Sequence, residues 1–481
     1  MRVLLVRPAP PSERFGLGPF FRVEPLGLEY VAQALLKAGH ETRIVDLRFS
    51  SPLPRILRRF RPGLVGISCT HTLDVNAALA AAGEVRRFDG SIFTLLGGHA
   101  AAAFPEPLIH PDVDGICACD GEVLIPALAS AIEGGRSPRG IPGFWLRQGG
   151  DVLPPAELEP PPLDEVSRPA RHLVAPFQHH YRCVQKMPLW ALETTRGCPF
   201  RCSFCSIWRL HRRRFRLRSI ESVCEDFAAT GKNLFVVDDL FFHPQARSRE
   251  LAHELRRRGV RKEWILVQSR LDTVARNAEL LEAWRPLAKC FDIFFGFEAP
   301  RQEQLDHLSK DMRLGSMEAG VAVARSLRYG VTGNFVVDPD WQEGDFEALW
   351  GLVDRLGLEG AGYTILTPLP GTPFFDEVRH RIREWDWSHY DMHHLPWEPR
   401  LGRQRFFELF AQTWRRSILN PARSFRRWHK WLRGLSVRQL LMFAGAMRRT
   451  RRLMDVDAYL TEVFPLQIPA AVGEDSARPL P

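Results

Sequence analysis

Two successive series of short apolar strands, each strand followed by a helical pattern, constrain the fold of this 481-residue chain more than any other feature. The strand candidates of the first series lie at residues 3–6, 41–45, 64–68, 92–96 and 115–118. Helical patterns separate them at residues 26–38, 53–60, 73–87 and 122–133. Because such alternation forms a parallel sheet with helices on both faces, residues 1–135 are predicted to form a doubly wound α/β domain.

The second series occupies residues 191–376 and predicts a barrel. Its strand candidates lie at residues 191–195, 233–239, 264–270, 291–298, 333–339 and 362–369. Six strand–helix units are typical of a partial (β/α)6 barrel, in which functional groups lie beyond the carboxyl ends of the strands. Polar residues collect at these ends, namely Asp238, Asp239, Ser269, Arg270, Glu298 and Asp338.

The remaining segments have weaker patterns. Residues 136–190 are rich in proline and are predicted to form a linker that runs over the surface. Residues 377–465 form a basic, tryptophan-rich region with helical patterns at 404–418, 422–432 and 437–454. Residues 466–481 are predicted to be disordered.

The cysteine count bears on the cellular compartment. Nine cysteines, an odd number, without an export signal argue against a disulfide framework. The first apolar run is too short for the core of a signal peptide, and no run approaches the roughly 20 residues that cross a bilayer. We therefore expect a cytoplasmic protein without a transmembrane anchor.

Three of the cysteines, Cys198, Cys202 and Cys205, form a C-x3-C-x2-C cluster directly after the first barrel strand. Thiolates bind both zinc and iron–sulfur clusters, so the ligand type does not decide between them. A structural zinc site needs four ligands, and the nearby His211 and Cys183 do not have a usual zinc-finger spacing. A [4Fe–4S] cluster held by three cysteines leaves one iron open to a further ligand.

The loop RGCPFRCSFCSIW, placed at the barrel mouth, resembles that of the radical S-adenosylmethionine (SAM) superfamily. The resemblance implies that SAM binds the fourth iron and that one electron cleaves it to a 5′-deoxyadenosyl radical. The SAM-binding residues that it implies are Phe204, Asp238, Asp239, Ser269, Arg270 and Glu298. The sequence VVDD departs from the Gly-Gly-Glu pattern of the family, and a strand-end turn or salt bridge is the alternative role for each carboxylate.

The first 135 residues resemble the flavodoxin-like, Rossmann-type cobalamin-binding domain of B12-dependent radical SAM proteins. The segments PLGLEYVAQALLKAGHE, LVGISCTHT and LLGGHAA carry this resemblance. It implies cobalamin contacts at Ser68, Thr70, Gly97 and Gly98. The D-x-H-x-x-G signature is absent, so we expect cobalamin without a histidine ligand, and an empty front domain stays open as the alternative.

From RVEPLGLEYVA to the tryptophan-rich tail, the chain is most similar to the hopanoid C-3 methylase group. The similarity implies a radical SAM C-methyltransferase that uses cobalamin and a one-electron reductant such as flavodoxin or ferredoxin. Its substrate would be a hydrophobic, hopanoid-like lipid. Two alternatives stay open: cyclisation, oxidation or methylation of another lipid, tetrapyrrole or natural product, and a non-catalytic, metal-stabilised protein that binds membrane or nucleic acid.

The charge distribution bears on macromolecular partners. The net charge is +9, and residues 400–452 contain fifteen Lys/Arg but a single acidic residue, Glu408. Residues 425–434, FRRWHKWLRG, interleave tryptophan with cations, as do helices that lie on anionic membranes. A solvated basic face is the alternative, and the lack of an RNA-binding motif disfavours nucleic acid. Both interpretations therefore stay open at this point: a solvated basic face, and peripheral contact with the inner face of an anionic membrane.

Overall fold

The computed structural model describes residues 1–9, 21–148, 151–156, 158–418 and 450–462, and the single positions 441, 444, 445 and 448. Two large sheets organise these residues, a seven-stranded sheet in the N-terminal part and a six-stranded sheet in the central part. The α/β fold expected from the two strand series is confirmed.

The N-terminal sheet begins with five parallel strands, Arg2–Arg7, Glu41–Asp46, Leu64–Ser68, Phe93–Gly97 and Gly115–Cys117. They are arranged in the order second, first, third, fourth and fifth along the chain. The main covering helices are Leu26–Lys37, Leu53–Phe60, Val75–Phe88 and Gly121–Glu133. Because both faces of the sheet are covered, the strand Arg2–Arg7 is apolar from Val3 to Val6, and both of these residues are fully buried.

The segment 136–190 contributes structure of its own. Phe144–Gln148 and Asp151–Leu153 form an antiparallel hairpin that extends the N-terminal sheet from Gly115–Cys117. Farther along, Val174 and Tyr181 are fully buried. The segment predicted to be a surface linker therefore supplies strands and core side chains, because proline-rich composition indicates irregular backbone and not exposure. The domain boundaries at 135, 190 and 376 stay a prediction.

The central sheet is parallel throughout, with its strands paired in chain order. The strands are Leu189–Leu192, Asn233–Val236, Lys262–Ser269, Ala288–Glu298, Gly330–Val337 and Ala361–Ile365. The intervening helices include Ile220–Ala229, Gln245–Arg257, Leu271–Ala275, Ala278–Trp284, Gln302–His307, Gly315–Ser326 and Glu343–Arg355. The partial (β/α)6 barrel predicted from the sequence is thus confirmed.

Successive residues on each barrel strand point to opposite faces of the sheet. On Lys262–Ser269, Ile265 and Val267 are buried in the core between sheet and helices, whereas Leu266 and Gln268 line an interior cavity. This alternation decides which side chains at the strand ends can reach a ligand inside the barrel.

The C-terminal part packs on the last barrel strands. The helix Arg403–Ile418 is amphipathic, with Phe406 and Phe410 fully buried, and it is followed by Arg451–Met454 and Val456–Glu462. Among the described residues, the helices lack the length and apolar character needed to cross a bilayer. The predicted helix at 422–432, the basic stretch 425–434, half of 437–454 and the tail 466–481 lie outside the described residues.

Candidate active site between the two sheets

A cavity of about 1780 Å³ lies between the carboxyl edge of the N-terminal sheet and the interior of the barrel. Residues from both sets that the sequence assigned to cofactors line it, although Cys198, Cys202, Asp238, Ser269, Arg270 and Glu298 do not. The assigned residues that line the cavity are Ser68, Thr70, Gly97, Gly98, Phe204, Cys205 and Asp239. Ligands of parallel sheets bind beyond the carboxyl ends of the strands, so the cavity is the candidate active site.

The cysteine loop, residues 197–206, begins at a glycine that its path requires. Gly197 has φ +96°, and a side chain there would overlap the carbonyl oxygen of Arg214. The middle of the loop is anchored across the barrel mouth, because the Ser203 N–H donates to the Leu308 carbonyl at 3.0 Å. The Ser203 carbonyl in turn accepts the Phe374 N–H at 3.0 Å. These contacts fix the loop over the barrel.

The three thiols of the loop are half-buried. Burial raises the pKa of all three, that of Cys205 to about 12. The backbone N–H of Phe200 opposes the shift at Cys198, and the Lys310 ammonium opposes it at Cys202. In the part of the chain that the structure describes, no three Cys, His, Asp or Glu side chains converge on the position of a single metal ion. The donor set, three thiols spread along one loop, fits a cluster that takes one thiolate per iron.

Arg270 and Glu298 lie behind the cysteine loop and do not line the cavity. The Arg270 guanidinium carbon is 3.7 Å from the centre of the Phe200 ring, and Nη1 donates to the Lys310 carbonyl at 2.8 Å. Glu298 accepts a 2.6 Å hydrogen bond from the Lys310 ammonium. Both side chains are thus engaged within the protein: Arg270 contacts the cysteine loop through Phe200, and Glu298 holds Lys310.

Asp238 and Asp239 point to opposite sides of the sheet. Asp238 is buried and accepts the N–H groups of Thr194 at 2.6 Å and Thr195 at 3.2 Å, which ties the first two barrel strands together. Asp239 lines the cavity and accepts the Gly197 N–H at 3.3 Å. Burial, reinforced by the Asp238 carboxylate, raises the pKa of Asp239 to about 7. Of the two, Asp239 is the carboxylate that a ligand in the cavity can contact.

Strand alternation also separates Ser269 from its neighbour. Ser269 lies two residues after Val267 and so points to the same, helix-covered face of the sheet, away from the cavity. Gln268, between them, points into the cavity. Asn334, which donates to the Thr364 hydroxyl at 2.7 Å, lines the same wall. Gln268, Asn334 and Thr364 were missed in the sequence, although counting alternate residues along each strand would have identified them.

The cavity continues as a slot into the N-terminal sheet. Leu5, Gly66 and Leu95, all in the middle of strands, line it. A side chain on Gly66 would lie 2.9 Å from Leu5 Cδ2, so the glycine keeps the slot open. At the strand end the hydroxyls of Ser68 and Thr70 lie 3.0 Å apart. An apolar slot with hydroxyls beside it fits a large cofactor with a heteroaromatic tail.

Gly98 has a structural requirement of its own. Its φ is +114°, and a Cβ there would lie 2.7 Å from the carbonyl oxygen of Cys69. A Cβ on Gly97 would meet ordinary contact, 3.4 Å from the Cys117 side chain. Gly98 therefore lets two neighbouring loops approach each other at the cavity wall, in addition to any contact with a ligand.

His99 links the two halves of the site. Its Nε2 lies 2.7 Å from the hydroxyl of Ser206, the residue that follows Cys205 in the cysteine loop. Burial lowers the pKa of His99 to about 4, so the ring is neutral at neutral pH. The sequence suggests an ordinary loop residue at this position, and only the fold brings it to the cysteine loop.

A buried ion cluster joins the two sheets beside the cysteine loop. The Arg196 guanidinium pairs with Glu122, with Asp120 at 3.2 Å and with Glu193 at 2.9 Å. Arg216 pairs with the other oxygen of Asp120. Burial raises the pKa of Glu193 to about 7, and the Arg196 charge opposes this shift. The cluster sets the position of the barrel mouth relative to the N-terminal sheet.

Comparisons with known proteins agree with this architecture. The B12 binding domain family matches residues 19–129. The hopanoid C-3 methylase of Methylococcus capsulatus is 30% identical over 420 residues, which cover 86% of this chain and 79% of that protein.

Two solved structures share the fold. The radical S-adenosylmethionine methyltransferase TsrM from Kitasatospora setae, with cobalamin and a [4Fe-4S] cluster bound, has a TM-score of 0.64 at 20% identity. The match covers 79% of the present chain and 78% of TsrM. The cobalamin-dependent S-adenosylmethionine radical enzyme OxsB, with aqua-cobalamin and S-adenosylmethionine bound, has a TM-score of 0.68 at 16% identity. This match covers 94% of the present chain and 71% of OxsB. At these identities the likeness shows a shared fold.

Proposed function

Because the chain belongs to the cobalamin-binding radical SAM family, in the group of the hopanoid C-3 methylase, we propose that it methylates C-3 on ring A of a hopanoid. The observation that carries this substrate is the 30% identity to a hopanoid C-3 methylase across 86% of the chain. The proposed cofactors are a [4Fe–4S] cluster, SAM and cobalamin.

The cavity supports a lipid-like substrate. Its volume of about 1780 Å³ exceeds the roughly 300–1,000 Å³ of a site for one small molecule, as expected where two cofactors and a substrate meet. Phe235, Leu266 and Phe294 give its barrel wall an apolar surface. Apolar walls hold a polycyclic hydrocarbon by burying its surface and exclude water from a reactive radical.

The cysteine loop has the first proposed role. Cys198, Cys202 and Cys205 hold the cluster, and Phe204 lines the SAM side of the cavity. When bound, the cofactors supply the radical that removes hydrogen from an unactivated carbon and the methyl group that replaces it. Asp239 pairs with the SAM ammonium, which would stabilise the ionised form of a carboxylate whose pKa burial raises to about 7.

Four residues implied by the family resemblance have different proposed roles. Asp238, Ser269, Arg270 and Glu298 do not line the cavity. Their contacts with neighbouring strands and with the Phe200 and Lys310 region make Asp238, Arg270 and Glu298 positioning residues for the cysteine loop. For Ser269 the structure offers only a long contact of 3.5 Å to the Arg270 carbonyl and no role of its own.

The N-terminal residues have the second proposed role. Ser68 and Thr70 bind the tail of cobalamin in the slot, and Gly97 and Gly98 form the adjacent wall. The absence of the D-x-H-x-x-G signature supports cobalamin that would be bound without a histidine ligand, and the His99 imidazole is engaged with Ser206.

Anaerobic reconstitution tests the chemistry. The wild-type chain should bind about four irons and, after reduction with dithionite, cleave SAM to 5′-deoxyadenosine. Cys202→Ala should abolish this cleavage, and C290S, which replaces an exposed cysteine outside the loop, is the matched control. Zinc in place of iron, with no cleavage, would favour the non-catalytic alternative.

Expression in a hopanoid-producing strain that lacks its own C-3 methylase tests the substrate. Lipid mass spectrometry should show hopanoids heavier by one methylene, with the added mass on ring A. Unchanged hopanoids, from a chain that cleaves SAM in vitro, would reassign the enzyme to another lipid, a tetrapyrrole or a natural product.

The proposed partners are a one-electron reductant such as flavodoxin or ferredoxin and an anionic membrane surface. The membrane proposal rests on the composition of residues 425–434. Liposomes that contain anionic lipid should float the chain at low salt and release it at high salt, and an absence of flotation at low salt would contradict the proposal.

A further inference from the structure

The cavity has a second polar region near the amino ends of the barrel strands. Trp264, Asp292, Gln185 and Lys186 line it there. Asp292 lies six residues before Glu298 on one strand, which is about 20 Å along the strand at about 3.3 Å per residue. This region is therefore remote from the cysteine loop but belongs to the same cavity.

A tight turn supplies two of these side chains. Cys183 and Lys186 exchange backbone hydrogen bonds of 3.0 and 2.8 Å, with Val184 at φ +52° between them. Gln185 and Lys186 both line the cavity from this turn. The Gln185 carbonyl oxygen Oε1 is buried and has no hydrogen-bond partner among the described residues. Since a buried acceptor without a hydrogen bond destabilises the fold, a ligand group that donates to Gln185 Oε1 would be stabilised here.

Asp292 is held in a defined orientation. Its Oδ2 accepts the indole N–H of Trp264 at 2.6 Å. Its Oδ1 lies against Gly330, where any side chain would overlap the carboxylate. Burial raises the pKa of Asp292, while the Trp264 hydrogen bond and the nearby Lys186 ammonium oppose the shift. The carboxylate is therefore built into the barrel wall and not merely solvated.

Apolar side chains lead from this region toward the cysteine loop. Phe235 and Leu266 lie level with Asp292 on the two preceding strands, and Phe294, two residues nearer the cysteine loop, lines the cavity beside Gln268. Gly362, on the last strand of the barrel sheet, also lines the cavity, and its lack of a side chain leaves space inside it. The cavity thus matches an elongated apolar body with a polar group at the end opposite to the cysteine loop.

We propose that Asp292, Lys186 and Gln185 form a subsite for a terminal hydroxyl group of an elongated, apolar substrate. The inference rests on the proposed function and specifies the substrate further, as a hydroxyl-bearing lipid. The Asp292 carboxylate would repel an anionic end group, and the Lys186 ammonium would repel a cationic one. A neutral hydroxyl avoids both repulsions, because it donates to Asp292 or to Gln185 Oε1 and accepts from Lys186.

A competition assay on the reconstituted, cofactor-loaded enzyme tests the subsite. Equal amounts of a hopanoid hydrocarbon and the matching hopanoid alcohol are supplied together, and mass spectrometry measures the ratio of methylated products. We expect the wild type to favour the alcohol about tenfold, the equivalent of about 1.4 kcal/mol. D292L and K186M should bring the ratio close to one, and C290S, an exposed position on the same strand, should keep the wild-type ratio.

A wild-type ratio of one, or an unchanged ratio in both variants, would overturn the subsite and leave the proposed function intact. If the wild type methylates neither hopanoid, the proposed function fails, and binding then decides the subsite. Cholestanol and cholestane in detergent micelles serve as probes, with quenching of tryptophan fluorescence compared between the wild type and W264F. Tighter binding of cholestanol that D292L abolishes supports the subsite, and equal affinities refute it.

Discussion

Arg196→Ala is expected to destabilise the chain strongly, because the substitution leaves three carboxylates without their shared cation. The side chains of Asp120, Glu122 and Glu193 are 15, 8 and 16% exposed, and that of Arg196 is 11% exposed. Removing one partner of a buried ion pair costs about 3–5 kcal/mol, since the remaining charge stays desolvated. We expect a loss of that size in the free energy of unfolding at pH 8.

The loss should depend on pH in a defined direction. Burial raises the pKa of Glu193 in the folded chain to about 7 from the ordinary 4.5. A raised carboxyl pKa means that the folded state binds more protons between these values, so stability falls as pH rises from about 4.5 to about 7. The difference between the two pKa values corresponds to about 3 kcal/mol in the free energy of unfolding. Without Arg196 the pKa of Glu193 rises further, so the destabilisation by Arg196→Ala should be larger at pH 8 than at pH 5.5.

Urea unfolding of the full chain, followed by tryptophan fluorescence at pH 5.5 and pH 8, measures this difference. Arg249→Ala is the control, because its ion pair with Glu279 is exposed and should contribute at most about 1 kcal/mol. Adding Glu193→Gln to Arg196→Ala should recover part of the loss at pH 8. An equal loss at both pH values, with no recovery in the double variant, would refute the reasoning from buried charge.

Two further predictions concern the cavity walls. Gly98→Ala should lower the free energy of unfolding by about 2–3 kcal/mol and weaken cobalamin binding, because its Cβ would lie 2.7 Å from the Cys69 carbonyl oxygen. Gly39→Ala, at φ +84° with open space around it, should cost less, and an equal cost in urea unfolding would contradict the steric argument. Arg270→Lys should destabilise the folded cysteine loop by about 3 kcal/mol, because it loses hydrogen bonds to the carbonyls of residues 310 and 311 and the contact with Phe200. The expected result is faster loss of iron to a chelator. An unchanged rate would show that Arg270 does not hold the loop.

Much of the fold could be predicted from local pattern. The run 64–68 was expected as a strand and is one, because a strand covered on both faces must be apolar along its whole length. The barrel strands were found with end positions shifted by a few residues, as with 191–195 against Leu189–Leu192. The hairpin of Phe144–Gln148 was missed, since its proline-rich surroundings carry no periodic signal.

The candidate site was predicted less completely. The strand ends were located to within a few residues, but the choice between neighbouring residues was not made from strand alternation. Asp239 and Gln268 line the cavity, whereas Asp238 and Ser269 do not. Alternation along the strand contains this information, and applying it to the residues just beyond the strand ends would have separated the two pairs.

By itself the sequence determined the strand and helix order, the cysteine spacing and the family, because each depends on residues close together along the chain or on overall similarity. Only the tertiary structure decided which distant groups meet. His99 reaches Ser206, 107 residues away, and the turn at Gln185 faces the same cavity as Asp292. Such contacts depend on how two sheets pack against each other, and the packing is set by shape and charge complementarity summed over the whole interface rather than by any local pattern.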